Sequence, residues 1–397
     1  MLVVMLAAAK LFGALAQRIG QPAVLGELIA GVVVGGSVLG LVNPHVETIE
    51  MLSHLGVVVL LLVIGLETDL KALLSVGVTA LVVAGVGVVL PFGLGFVVCH
   101  LLGLDVLVSI MAGAALTATS VGITARVLSD LGRLRDPEGQ VILGAAVIDD
   151  ILGLVILTVV AGVVAGGEAT VGGVAWTTAK AFGFLAVSLG VGFLVTPWLV
   201  RLASKIDAPG TPTIFAMVLA LGLAWLAEES GSASIIGAFV AGLLLRRTPW
   251  FHDIETGVTT LGHFFVPLFF VHVGALVDLG AMNPMTPDGR WAVVVGSALI
   301  VVGVVGKLAA GYAPFWFPGN KTIVGVGMIP RGEVGLIFAQ IGLQTGVFDD
   351  GLFGGVTLMV IFTTFLAPPI LKALLSESSA PRDAREPEAI EDLVTEA

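Results

Sequence analysis

The chain has 397 residues, of which 57% are hydrophobic and only 12% charged, with a formal net charge of −11. A soluble domain carries about a quarter of its residues as charges, so this composition argues against a water-soluble enzyme and for a chain that lives in lipid. It offers no basic face for nucleic acid, and a single cysteine, Cys99, excludes an intramolecular disulfide.

A helix that crosses a bilayer needs about 20 largely apolar residues. Thirteen such segments are expected, near 1–17, 21–40, 51–66, 72–100, 105–126, 138–165, 174–200, 212–229, 232–245, 257–276, 291–316, 321–343 and 352–375. The first begins at Met1 with almost no polar flank, so it either tilts into the headgroups or continues upstream. It lacks a cleavage site before a polar region and does not read as a signal peptide. The 53 glycines fit close helix contacts and interrupted helices. After the last segment, residues 377–397 form a Ser/Pro/Glu-rich acidic tail that reads as disordered and cytoplasmic.

The loops set an orientation. With Met1 outside, the inner loops collect thirteen of the 18 Lys and Arg residues, and the outer loops only Lys180 and Arg290. Lys10, Lys307 and Arg331 stay inside helices. This positive-inside asymmetry predicts a multi-pass inner-membrane protein with its N-terminus outside and its C-terminus in the cytoplasm.

The chain also repeats itself. VLGELIAGVVVG (24–35) aligns with IIGAFVAGLLLR (235–246), pairing Gly26 with Gly237 and Gly31 with Gly242. LVIGLETDL (62–70) aligns with VHVGALVDL (271–279), pairing Gly65 with Gly274 and Asp69 with Asp278, and SVGI (120–123) aligns with EVGL (333–336). The offsets of 211, 209 and 213 are nearly constant. Helices 1–6 then correspond to helices 8–13, with helix 7 as linker. A shift of seven spans reverses direction, so the repeats are inverted, as in many secondary transporters.

The repeat predicts paired breaks. Helix 5 contains ALTATSVGITAR, with Thr117, Thr119 and Ser120; its counterpart contains GMIPRGEVGLIF, with Pro330, Arg331, Gly332 and Glu333. Proline lacks the N–H that a helix needs, so helix 12 unwinds at Pro330. Unwound backbone at membrane depth is tolerated only where protein or a water-filled cavity satisfies it. The expected fold is therefore an all-α membrane protein of 13 transmembrane helices, two inverted repeats and two crossed, broken helices.

Two adjacent acids, Asp149 and Asp150, are the sole charges between Glu138 and Glu168. Lys307 stands alone in VVGVVGKLAAGY, and its 14-residue distance to Lys321 equals that from Arg135 to Asp149. Both charges thus lie at one depth, roughly 20 Å of helix from the inner face. An unpaired lysine at mid-span costs about 2.5–3.5 kcal/mol on insertion scales, so Lys307 is expected to meet one of the acids. Consecutive residues point about 100° apart, so the other acid lines the cavity between the broken helices. The half-helix ends carry partial charge, Lys307 being the candidate for the negative ends and the acids for the positive ones. A carboxylate there takes either a proton or a hard cation, with Thr119, Ser120 and freed carbonyls as further oxygen ligands. No transition-metal site and no cofactor are expected, since the six histidines lack ligand spacing. His263 and His272 read as buried or pore-lining, and Glu27 and Glu67 as interfacial.

With AAVIDDILGL, TATSVGITARVL and PRGEVGLI in hand, the chain resembles the bacterial cation/proton antiporter family, in its two-aspartate, NapA-type sodium/proton branch. The resemblance runs from QPAVLGELIAG to the last span. It implies a homodimer with scaffold helices 1–3 (1–70) and 8–10 (209–280). Core helices 4–6 (71–170) and 11–13 (281–376) move, and helix 7 (171–208) links the halves. It implies Asp150 as main ion ligand, Asp149 as partner of Lys307, and Arg331 with Glu333 as a structural pair. It further implies electrogenic exchange of two protons for one Na⁺ and no enzymatic reaction. Exchange of K⁺ on the same scaffold is the alternative, and Li⁺ is a third possible cargo. A non-transporting membrane scaffold is a reading from another class, under which Asp150→Asn would leave function intact.

Overall fold

A computed structural model describes residues 1–164, 171–206, 208–277, 279–280 and 283–377, and every regular element among them is a helix. Of the predicted tail (377–397), Glu377 ends the last helix and residues 378–397 lie outside the described residues, as does Asp278 of the second repeat. In chain order the helices are α1 (Leu2–Arg18), α2 (Ala23–Val34), α3 (Glu47–Glu67), α4 (Leu70–Ser75), α5 (Gly77–Leu101), α6 (Val106–Ala115), α7 (Val121–Asp130) and α8 (Pro137–Val164). They continue with α9 (Val171–Ala203), α10 (Thr211–Glu229), α11 (Ser234–Leu245), α12 (Phe251–Ala275), α13 (Pro287–Tyr312), α14 (Lys321–Gly327), α15 (Glu333–Gln344) and α16 (Asp350–Glu377). These sixteen overlap the thirteen predicted segments with shifted ends, the pairs α4–α5, α6–α7 and α14–α15 each sharing one. By length and composition, eight of the described helices are able to cross a membrane: α3, α5, α8, α9, α10, α12, α13 and α16.

Small residues decide where the helices cross. A Cβ at Gly31 of α2 would fall 2.2 Å from the Val271 carbonyl oxygen of α12, next to Gly274. A Cβ at Gly65 of α3 would fall 2.3 Å from the Phe239 carbonyl oxygen of α11, next to Gly242. Backbone thus lies on backbone, an approach only glycine permits. The repeat pairing of Gly31 with Gly242 and Gly65 with Gly274 exchanges these two crossings. A third correspondence follows the same offset: Gly26 abuts the Phe12 carbonyl oxygen and Gly237 that of Leu223, each at 2.2 Å from an added Cβ. The inverted repeat inferred from sequence is therefore built into the packing.

Two groups of helices follow. α3 packs against α11 and α12, and α12 against α2. α13 packs against α5 and α16, and α8 against α5. Pro91 inside α5 is accommodated because its ring lies over Gly306 of α13, where a Cβ would come within 2.9 Å. α8 opens with Pro137 at its first position and Glu138 in its first turn, both suited to a helix N-terminus. α14 is capped by Asn320, whose side chain accepts the Thr322 and Ile323 N–H groups.

Candidate ion-binding site at the crossing of two broken helices

The chain leaves helical geometry between Ala115 and Val121, and again between Gly327 and Glu333. On the first side, the Thr117 hydroxyl donates to the Ala114 carbonyl at 2.7 Å, a local bond that competes with helix continuation. On the second, Pro330 supplies no N–H and Gly332 is extended (φ −133°, ψ −149°). The two unwound stretches then satisfy one another. Ser120 N–H donates to the Pro330 carbonyl at 2.8 Å, and Thr119 Oγ1 to the Met328 carbonyl at 3.2 Å. Thr124 Oγ1 donates to the Gly327 carbonyl at 2.7 Å. Gly332 lies against Ser120, whose Cβ would be 2.9 Å from an added methyl, which explains the glycine there.

Buried charge surrounds this crossing. Asp149 and Lys307 are both fully buried, with Nζ at 3.3 and 3.4 Å from the two carboxylate oxygens. Lys307 Nζ also donates to the Thr117 carbonyl at 2.8 Å, at the C-terminal side of α6. One cation therefore answers both an acid and the negative end of a half-helix. Gly87 of α5 leaves room for it, since a Cβ there would sit 3.3 Å from Nζ. Asp150, the next residue on α8, faces elsewhere. It is 6% exposed and lines a cavity of about 30 Å³ with Thr119, Ser120, Gly122 and Gly332. The N-termini of α7 and α15 border this cavity and favour negative charge in it.

Arg331 is also fully buried. Its Nη1 donates to the Ala118 and Met328 carbonyls at 3.3 and 3.4 Å, while Nε and Nη2 have no partner among the described residues. The Glu333 side chain, expected to pair with it, lies outside the described part. The carbonyl of Arg331 accepts from Thr364 of α16, a contact that ties the break to the last helix. Thus Asp149, Lys307, Thr117, Thr119, Ser120, Pro330, Arg331 and Gly332 converge at one crossing with Asp150.

Two of the remaining expectations need revision. Glu27 is not interfacial: it is 4% exposed, and its Oε2 has no hydrogen-bond partner among the described residues. It lies one turn inside α2 and packs toward Gly13 of α1, so the neighbouring helix covers it. His263 is neither buried nor seen to line a cavity among the described residues: it is exposed on α12. His272 is half-buried as expected, its Nδ1 3.0 Å from Ser53 Oγ and its Nε2 3.1 Å from the Pro44 carbonyl oxygen. Sequence reasoning missed Val57 of α3 and Phe269 of α12, which line the Asp150 cavity. Apolar residues in apolar helices carry no signal that separates a cavity wall from a lipid face.

Comparison with known proteins decides the family. The model of the sodium/hydrogen exchanger transmembrane family matches residues 3–377. The chain belongs to this family. Among relatives, it is 40% identical to the high-affinity Na⁺/H⁺ antiporter NhaS3 of Synechocystis sp., over 94% of this chain and 88% of that one. It is 34% identical to the Na⁺/H⁺-K⁺ antiporter GerN of Bacillus cereus, over 91% and 92%. Its fold is similar to that of the sodium proton antiporter MjNhaP1 from Methanocaldococcus jannaschii, with a TM-score of 0.68, 17% identity, and 95% and 96% coverage. As an exchanger-family chain it is a membrane protein, and its crossed broken helices belong to that fold.

Proposed function

We propose that this chain exchanges Na⁺ for H⁺ by alternating access, with Asp150 as the group for which proton and cation compete. The observation that supports it is the cavity at Asp150. Its volume of about 30 Å³ leaves room for a small, largely dehydrated occupant. Hydroxyls of Thr119 and Ser120 lie on its wall, and a carboxylate supplies the charge. These are hard oxygen donors, which suit an alkali cation. A carboxylate lining so small a space can hold H⁺ or Na⁺, and each excludes the other. Asp149 is held by Lys307 at 3.3 and 3.4 Å.

The NhaS3 likeness supports Na⁺ as cargo. A second reading, K⁺/H⁺ exchange on the same scaffold, is favoured by the GerN likeness. In either case residues 1–70 and 209–280 act as scaffold and 71–170 and 281–376 as moving core, in a homodimer with Met1 outside. The division follows the resemblance and is supported by the two helix groups described above. Exchange of two protons for one Na⁺ would move one charge per cycle, so about 2.3 kcal/mol per 100 mV drives export. The test is dequenching of a pH dye in proteoliposomes on adding Na⁺, Li⁺ or K⁺. Asp150→Asn is expected to abolish every cation-dependent signal. Exchange that survives without the Asp150 carboxylate overturns the assignment.

A further inference from the structure

The Asp150 cavity has a neighbour. A second cavity, of about 170 Å³, is lined by Glu50, Ser53, His54 and His272 together with Val57 and Phe269. Val57 and Phe269 also line the smaller cavity around Asp150. These two side chains are therefore the wall common to a polar vestibule and the ion site. Both are nearly inaccessible, at 3% and 4% exposure. The vestibule lies at the N-terminal half of α3 and the C-terminal end of α12, the face assigned to the outside by the distribution of Lys and Arg. At the opposite end of α3 the helix is tied to its neighbours. There Ser129 Oγ donates to Glu67 Oε2 at 3.0 Å, and Arg246 Nη1 donates to the Leu66 carbonyl at 2.7 Å.

The position of Phe269 is tightly fixed. A Cβ at Gly56 of α3 would fall 2.4 Å from the Phe265 carbonyl oxygen and 2.9 Å from Phe269 Cβ, so α3 and α12 touch through backbone at this level. The far edge of the ring reaches α7, with Cε1 3.6 Å from where a Gly122 Cβ would lie. Phe269 thus spans from the α3–α12 contact to the first turn of the broken helix that carries Thr119 and Ser120.

We infer that Phe269, with Val57, forms an apolar neck between the outer vestibule and Asp150, and that this neck sets which cations reach the site. The inference rests on the reading of Asp150 as the ion site and deepens it. The vestibule, at about 170 Å³, is several times roomier than the inner cavity of about 30 Å³. An alkali ion can wait in the vestibule with its shell, but it passes the neck only after shedding most of it. An apolar constriction opposes that passage by dewetting, and the cost differs between ions of different size and hydration. Polar groups on the vestibule side, Glu50 and Ser53 among them, supply oxygens that replace part of the lost shell. Neither neck residue touches the acids or Lys307 in the contacts described, so its effect falls on access and selectivity and leaves the charge pairing alone.

The test uses the full chain with Cys99→Ser and a reporter, Ile235→Cys, on the wall of the Asp150 cavity. A cationic methanethiosulfonate reagent is applied from the vestibule side of oriented proteoliposomes, and the rate of labelling is measured. Phe269→Ala is expected to raise that rate at least tenfold and Phe269→Trp to lower it. In the same vesicles without the reporter, Phe269→Ala should narrow the ratio of half-saturating K⁺ to Na⁺ concentrations at least threefold. Phe269→Leu and Val57→Ala, milder changes, should shift both readings in the same direction and serve if Phe269→Ala does not fold. Unchanged labelling and unchanged cation ratio in the folded variants overturn the neck. Asp150→Asn separates the two claims: lost exchange with unchanged labelling in the Phe269 variants sinks the neck alone. Retained exchange with faster labelling sinks the site assignment and keeps the neck.

Discussion

Lys307 has three oxygens within reach, two from Asp149 and one from the Thr117 backbone, and no exposed surface of its own. A buried pair of this kind adds little net stability, but breaking it leaves an uncompensated charge that costs about 3–5 kcal/mol. Lys307→Ala should therefore lower the melting temperature of the detergent-purified protein markedly. The double variant Lys307→Ala/Asp149→Asn should recover most of that loss; a double variant as unstable as the single one would contradict the pairing. Thr119 and Ser120 make a subtler case, since each already has a backbone role. Losing one hydroxyl ligand to an ion costs about 1.5–3 kcal/mol when the bond is charge-assisted. Thr119→Val is thus expected to raise the half-saturating Na⁺ concentration at least tenfold in the dye assay, and Ser120→Ala to act in the same direction. Much of this scale was legible in the sequence, because charge in an apolar run is conspicuous. Helical spacing required that one acid meet Lys307 and the other not. It left open which acid did so, a choice that depends on the rotation of α8 against α13. Glu27 was misread for a related reason. Its place near a segment end implied water, and only the packing of α1 over α2 covers it.

At the level of elements, the four glycines at the α2–α12 and α3–α11 crossings do what apolar side chains do in a water-soluble core. Lipid offers no hydrophobic force to hold helices together, so contact area and close approach take over. Gly31→Ala would place a methyl 2.2 Å from a carbonyl oxygen, and the helices must part to admit it. A loss of about 1–3 kcal/mol is expected from such overpacking, read as a lower unfolding midpoint. Gly36→Ala is the control, since nothing lies within 4 Å of its added Cβ. If both behave alike, the crossing has been misjudged. These contacts were foreshadowed by the repeat, which matched the same glycines at a constant offset. The breaks were foreshadowed too, by Pro330 and by the hydroxyl-rich stretch at Thr117. What the pattern concealed was their mutual bonding, Ser120 to Pro330 and Thr119 to Met328. Hydrogen bonds between residues some two hundred positions apart have no local signature.

Across the whole molecule, the two ends differ in kind. One carries a polar vestibule with Glu50, His54 and His272; at the other, Ser129 bonds Glu67 and Arg246 bonds the Leu66 carbonyl. If the proposed exchange moves one net positive charge inward per cycle, an inside-negative potential should speed Na⁺ export from vesicles. A potassium–valinomycin gradient imposes that potential, and indifference of the rate to its sign would refute electrogenic exchange. The helical membrane fold was readable from hydropathy and repetition. The vestibule was not, since its walls come from α3, α12 and α15, which only the fold brings together. The glycine crossings also govern how the protein can be made. α2 finds its partner in α12 and α3 finds its own in α11, so neither weld closes until the ribosome has delivered the second repeat. The first half must wait in the bilayer with its seams open, which leaves the order of synthesis as the clock for assembly and makes co-expression of the two halves the way to rebuild it from parts.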